Sequence, residues 1–332
     1  TGQVTVMNIA GGTTSNAVSN NTLSSIAGGG GLTGISISST AGNSTVSSNT
    51  INGISSTSAA APNLIGIQTQ NASVITGNTI SGLSVGTTGN SVIYGIFIST
   101  AQPVTVNQNT IHTLSGSGTG TTTTINGIAL LNAGNTYNIF KNRIYNLAQS
   151  AAIRLSSNAH VNGMLISANT ANTTANIYNN YISDLRAPLD SSVDAIRGIN
   201  ITSTSTTSNY NVYYNTIYLN ATSITVPNFG TSGIFHPGNA TGTTATLTLR
   251  NNIIDNESVP NGTGKTVAFR RGSALVNLVN YGSTSNNNSF YAGTAGASNL
   301  VFFDGTNSDQ TITDFQTRVS TPARDAVSVS VK

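Results

Sequence analysis

The 332-residue chain has a mean hydropathy of +0.00 and 37% hydrophobic residues, low for a globule and suited to a narrow core faced with Ser, Thr and Asn. It carries only 12 Lys and Arg against 9 Asp and Glu, with none before Lys141; without a basic run to meet phosphate, nucleic acid is excluded as a partner. There is no Cys for disulfide or thiol chemistry, and no apolar stretch approaches the roughly 18 residues of a membrane-spanning helix.

Gln3–Val6 opens as an alternating strand, with Val4 and Val6 on one face. From there an Asn-x-Ile tripeptide or a close variant returns at Asn21, Asn49, Asn78, Asn109, Asn142, Asn180, Asn215, Asn252 and Asn288, spaced by 28, 29, 31, 33, 38, 35, 37 and 36 residues. Two further segments keep step with it. One is Gly-Ile-x-Ile, as at Gly34–Ile37, Gly95–Ile98 and Gly198–Ile201. The other is an alternating run just before the Asn, as at Pro103–Val106, Tyr137–Phe140 and Thr246–Leu249. Three short strands per unit of ~30 residues describe one coil of a solenoid. The fold class is therefore all-β, a parallel β-helix of nine to ten coils over residues 1–298. Strand alternation places Ile80 and Leu83 inside and Thr79 and Ser81 outside. The Asn falls at a corner, where amides on successive coils are expected to form a hydrogen-bonded ladder.

From Lys141 the coils lengthen and acquire Tyr and charge. Two residues before the Asn, successive coils place Phe140, Tyr178 and Tyr213; three residues after it come Tyr145, Ser183 and Tyr218, with Tyr181 beside them. These outward aromatic columns are a candidate face for glycans or a protein partner. Beyond Tyr291 the pattern changes. Leu300–Phe303 reads as a buried strand, Asp304–Asn307 as a turn and Thr313–Val319 as a short helix stopped by Pro322. Residues 299–332 thus form a terminal segment that packs on or extends the last coil. Ala326–Val331 alternates again, and Val4, Val6, Val327, Val329 and Val331 are candidate subunit-contact positions for head-to-tail self-association. Neither end shows an obvious cap, and the chain reads as a piece of a longer or processed precursor.

Catalysis on this architecture requires clustered carboxylates with a nearby Arg or Lys. Asp184, Asp190 and Asp194 with Arg186 and Arg197 come nearest, within one coil and its loop, but form no acidic column and read as local ion pairs. Asp304–Asp309 lacks an EF-hand pattern and reads as an Asx turn. His112 aligns with outward Ser81 and Tyr145, His160 falls in a loop, and His236 aligns with inward Ile201 as a hydrogen-bonded corner residue. No metal, no cofactor and no enzymatic activity are expected.

Asn211–Asn220, Phe229–Phe235, Leu249–Ile254, Ser285–Gly293 and Phe303–Asp309 resemble the right-handed parallel β-helix region of large secreted surface proteins of Bacteroidota and related bacteria. Those proteins carry a C-terminal type IX secretion sorting domain. The resemblance implies a right-handed helix and an extracellular or cell-surface location, and it supplies no catalytic residues. The expected function is structural: a β-helical rod forming a surface stalk or head-to-tail filament. An adhesin or carbohydrate-binding module using the Tyr face is the alternative, ahead of a polysaccharide lyase or hydrolase.

Overall fold

The computed structural model describes residues 3–11, 15–38, 43–58, 61–86, 88–117, 122–132, 134–151, 159–224, 226–272 and 278–332. The strands stack as three long sheets. The first holds the Gly-Ile-x-Ile segments, eleven strands from Val4–Ile9 to Ser308–Asp309, of which only the last pairs antiparallel. The second holds the runs before each Asn, eight strands from Ala17–Ser19 to Thr246–Arg250. The third holds the segments after it, ten strands between Thr22–Gly28 and Ser289–Tyr291. Each coil passes through the second, third and first sheets in turn, so the parallel β-helix is as expected.

The coil count is slightly below the nine to ten read from the repeats. The eight strands of the second sheet enclose about seven turns. Before Asn288 the polar stretch Gly282–Asn287 lacks the apolar alternation of a strand, and that side of the coil makes only isolated bridges, Leu247 with Tyr281 and Arg250 with Asn286.

Register follows the repeat. Ile51, Ile80, Ile111, Ile144, Ile182, Ile217 and Ile254 lie one above another, fully buried. Leu83 is also fully buried, but simple alternation does not explain it, because residues three apart in a uniform strand face opposite sides. The reason is a left-handed residue four places after the Asn in each of the first six coils: Ser25, Gly53, Gly82, Thr113, Asn146 and Asp184, with φ between 50° and 79°. It turns the following Leu or Ile back inward. From the seventh coil the left-handed residue is gone, and Ile217 and Leu219 alternate normally.

The corner before each ladder Asn is likewise a single left-handed residue. Asn20, Ser48, Gly77, Gln108, Lys141, Asn179, Tyr214, Asn251 and Asn287 all have φ between 54° and 64°. Gly77 alone among them is a glycine. A non-glycine residue there costs roughly 1–2 kcal/mol, less for Asn, so the hydrogen bonds at the corner offset a repeated strain.

The glycine of Gly-Ile-x-Ile serves close approach. A Cβ on Gly127 would lie 2.5 Å from the carbonyl oxygen of Gly163 and 2.5 Å from Cγ2 of Ile144. Gly66, Gly95, Gly163, Gly198 and Gly233 face the isoleucines of the third sheet in the same way. The column of glycines lets the first sheet settle onto the isoleucine column.

The core is aliphatic for most of its length and aromatic at its C-terminal end, where Phe269, Tyr281, Phe290, Phe302 and Phe315 cluster fully buried. Phe315 belongs to the helix Ile312–Arg318, whose start is fixed by a capping box between Thr311 and Asp314. This end is therefore capped by the terminal segment expected to pack on the last coil, although the sequence shows no obvious cap at either end. Val327–Val331 is not a free strand either. It makes one parallel bridge, Val329 with Ser289, and Nε2 of Gln316 donates to the carbonyls of Asp325, Ala326 and Ser328.

Candidate functional site

The asparagines form one continuous ladder. Each Nδ2 donates to Oδ1 of the next Asn at 2.9–3.1 Å, from Asn21 to Asn288. The same Oδ1 accepts the backbone N–H of the preceding Asn, as from Asn109 to Asn142 at 3.1 Å. The second hydrogen of Nδ2 returns to a carbonyl of the preceding coil, as from Asn142 to Val106 at 2.9 Å. Every rung beyond Asn21 is buried, and this pattern satisfies the amide in full. The last rung meets a different partner: Nδ2 of Asn288 donates to Oδ1 of Asp325 at 2.9 Å, and its backbone N–H to Oγ of Ser328 at 2.9 Å. Asp325 also accepts from Tyr281 Oη at 2.6 Å and from Ser328 Oγ at 2.7 Å. Burial pushes its carboxyl above the usual range, against those three hydrogen bonds.

The aromatic columns lie in the expected register: Phe140, Tyr178 and Tyr213 are neighbours, and His112 lies beside Tyr145. Two pairs of rings stack. Phe140 and Tyr178 sit 4.7 Å apart with planes 5° from parallel, and His112 and Tyr145 sit 5.0 Å apart at 10°. Arg143 covers Tyr145 at 4.6 Å. Tyr213 donates to Asn211 and Tyr218 to Glu257. In these two pairs, stacking along the axis occupies one face of each ring. Tyr181, 39% exposed, is the most open of the six.

The acidic and basic residues that the sequence groups in one coil are distributed over three separate sites. Asp184 and Arg186 form an exposed pair at 3.3 Å. Asp190 is buried against Nδ1 of His160 at 2.7 Å, so His160 is an anchored residue in its loop. Asp194 makes the expected local pair with Arg197 at 2.7 Å and in addition ties three coils, meeting Arg270 at 3.4 Å and Ser232 Oγ at 2.5 Å. His236 is fully buried as expected, its Nε2 on the carbonyl of Ala245 at 2.7 Å and Nδ1 beside Nη1 of Arg271 at 3.3 Å. Asp304 makes the expected Asx turn, accepting from the backbone of Thr306 and Asn307, while Asp309 pairs with Arg318 at 2.6 Å.

No family model, curated protein or solved structure matches the chain. What its surface can do must come from its own geometry. Among the described residues no three His, Cys, Asp or Glu come together to hold a metal ion. The chemically richest place is the outer face of the first sheet around Asp194, where Arg197, Arg270 and Arg271 line an open groove of about 510 Å³. Arg270 and Phe303 were missed by the sequence reading. Arg270 lies 76 residues from Asp194 in sequence numbering, and only the fixed coil register brings them together.

Proposed function

We propose that this chain is a structural, non-catalytic rod, an extracellular stalk displayed at a cell surface. The observation that carries this reading is the single amide ladder, unbroken from Asn21 to Asn288 and closed by Asp325. It runs beside one continuous apolar core. Coils spaced by about 4.8 Å make a shaft on the order of 40 Å long. Such a shaft resists bending, because each coil is pinned to its neighbours by strand pairing and by an amide. Its first 140 residues carry no Asp, Glu, Lys or Arg, which suits a spacer and gives charged ligands nothing to steer toward. The C-terminal cap favours a stalk over a filament assembled through Val327–Val331. Immunogold labelling of intact producing cells tests the reading. Gold at the surface is expected, with rods of the stated length in negative-stain images of the purified protein; label appearing only after lysis overturns it.

A further inference from the structure

The two ends of the shaft differ in hydrogen-bonding chemistry. At the C-terminal end the last amide is engaged, with Nδ2 of Asn288 on Asp325 and its backbone N–H on Ser328. At the N-terminal end the ladder stops on an acceptor. Asn21 donates through Nδ2 to Asn49 and to the carbonyl of Ser19, but among the described residues nothing donates to its Oδ1. Every later rung accepts twice at that atom, from Nδ2 and from the backbone N–H of the Asn before it. Asn49, for example, accepts from Asn21 at 2.9 and 3.0 Å.

The strands around this rung are open in the same direction. Among the described residues Val4–Ile9, Ala17–Ser19 and Thr22–Gly28 each stand at the end of their sheet, paired on one side only. The core is uncovered there too. Met7, Ile9 and Ile26 are only partly buried, whereas Ile35, Ile37 and Ile54, their register partners one coil on, are fully buried. Natural sheet edges are commonly blocked by charged side chains, especially Lys. This one has none, because no Asp, Glu, Lys or Arg precedes Lys141. Three unpaired edges, an unfilled double acceptor and an open aliphatic core all fit one occupant, a further coil laid in parallel register.

Ladder polarity decides what can supply that coil. A second copy of this chain cannot do so through its C-terminal end, where the donors of Asn288 already serve Asp325 and Ser328. Two N-terminal ends related by a two-fold axis through this corner would set one Asn21 Oδ1 against another, acceptor to acceptor. We propose that the N-terminal coil is a docking face for a different polypeptide, one carrying a neutral strand–Asn–strand corner that adds in parallel to Ala17–Ser19 and Thr22–Gly28. The incoming Asn donates its Nδ2 and its backbone N–H to Asn21 Oδ1, and the apolar residue two places later covers Leu23. Main-chain pairing supplies affinity, and the amide fixes register. The inference goes beyond the stalk reading and holds wherever the rod is displayed.

A fluorescently labelled peptide copying Ser44–Ser56 tests this with the full chain. Within the rod that segment already lies on the following coil in the required pose, its strands parallel to Ser73–Thr76 and Thr79–Val85 and Asn49 donating to Asn78. Saturable binding is expected by fluorescence anisotropy. The peptide's Asn49→Asp variant, which replaces the donor by another acceptor, should bind about tenfold or more weakly. Bound peptide should protect backbone amides of Thr22–Gly28 from hydrogen–deuterium exchange and leave those of Ser289–Tyr291 unchanged. Sedimentation velocity of the protein alone should show a monomer; a reversible dimer dispersed by the peptide would make a second copy the occupant and overturn the proposal. So would an absence of saturable binding, equal affinity for the Asn49→Asp peptide, or protection away from the N-terminal coil.

Discussion

His236 shows how a single side chain inherits its properties from the stack. It takes the inward position that Ile201 holds one coil earlier, so an ionisable ring sits where the column is otherwise aliphatic. The carbonyl of Ala245 can only accept, which requires Nε2–H, and Nδ1 faces the Arg271 guanidinium, which can only donate. Both contacts demand the neutral imidazole. Burial and the Arg271 charge accordingly hold its pKa well below 6.5. In the unfolded chain His236 takes up a proton as pH falls through about 6.5, while the folded chain does not. The unfolded state then binds more protons, and stability falls as pH decreases below that value, by up to ~1.4 kcal/mol per pH unit. Urea unfolding of the parent between pH 7 and pH 5 should show this decline. His236→Gln, which keeps a donor for Ala245, should flatten it. His112, also shifted down by burial and Arg143 but less buried, supplies a weaker residual slope. Equal slopes in parent and variant would rule out His236 as the source. The ladder asparagines could be read from sequence because identical side chains at a fixed interval create their own partners. His236 could be placed as an inward corner residue, but Arg271, 35 positions away, carries no periodic signal.

At the scale of the strand and its neighbours, the repeat revealed which segments pair but not why particular residues occupy them. The Gly-Ile-x-Ile segment was legible as a strand; the role of its glycine required the third sheet to be in place. Likewise Asn-x-Ile-x-x-Leu was legible as a motif, yet its three-residue step between inward positions is explained by the left-handed residue before the Leu, as at Gly82 with φ 66°. Close approach gives the glycine column a clear test. Gly127→Ala introduces a methyl 2.5 Å from a backbone oxygen and from Ile144 Cγ2, and a backbone atom shared with the next coil has little room to give. Overpacking of this kind costs typically 1–3 kcal/mol. Gly86→Ala meets only Ser117 Oγ, at 3.6 Å. The first variant should shift the urea midpoint well below the parent's, and the second should leave it within about 0.5 kcal/mol. Comparable midpoints for the two would show that the sheets separate readily and that the glycines are not needed for contact.

For the whole molecule, what matters is how a column of parallel coils ends. Solenoid coils contact only their neighbours, so stability is approximately a sum of local terms, and an end can loosen while the shaft persists. An uncovered last coil would present unpaired backbone groups and a cluster of phenylalanines, the combination that invites strand addition from another chain. Here Phe315 fills the aromatic end, with ring centroids 5.1 Å from Phe302 and 5.7 Å from Phe290. Gln316 covers three carbonyls of the final segment, and Asp325 terminates the ladder. Phe315→Ala removes the keystone of this cap, at a local cost of about 3–5 kcal/mol. Because that loss falls on the terminal coil, far-UV circular dichroism should keep the parent's β signal while the cap frays. Sedimentation velocity over a range of concentrations should then show more self-association than the parent, growing with concentration and reversed by mild urea. Unchanged sedimentation in a folded variant would mean that Phe315 does not control access to that end. Cooperative loss of all β structure would instead mean that the cap and the shaft fold as one unit.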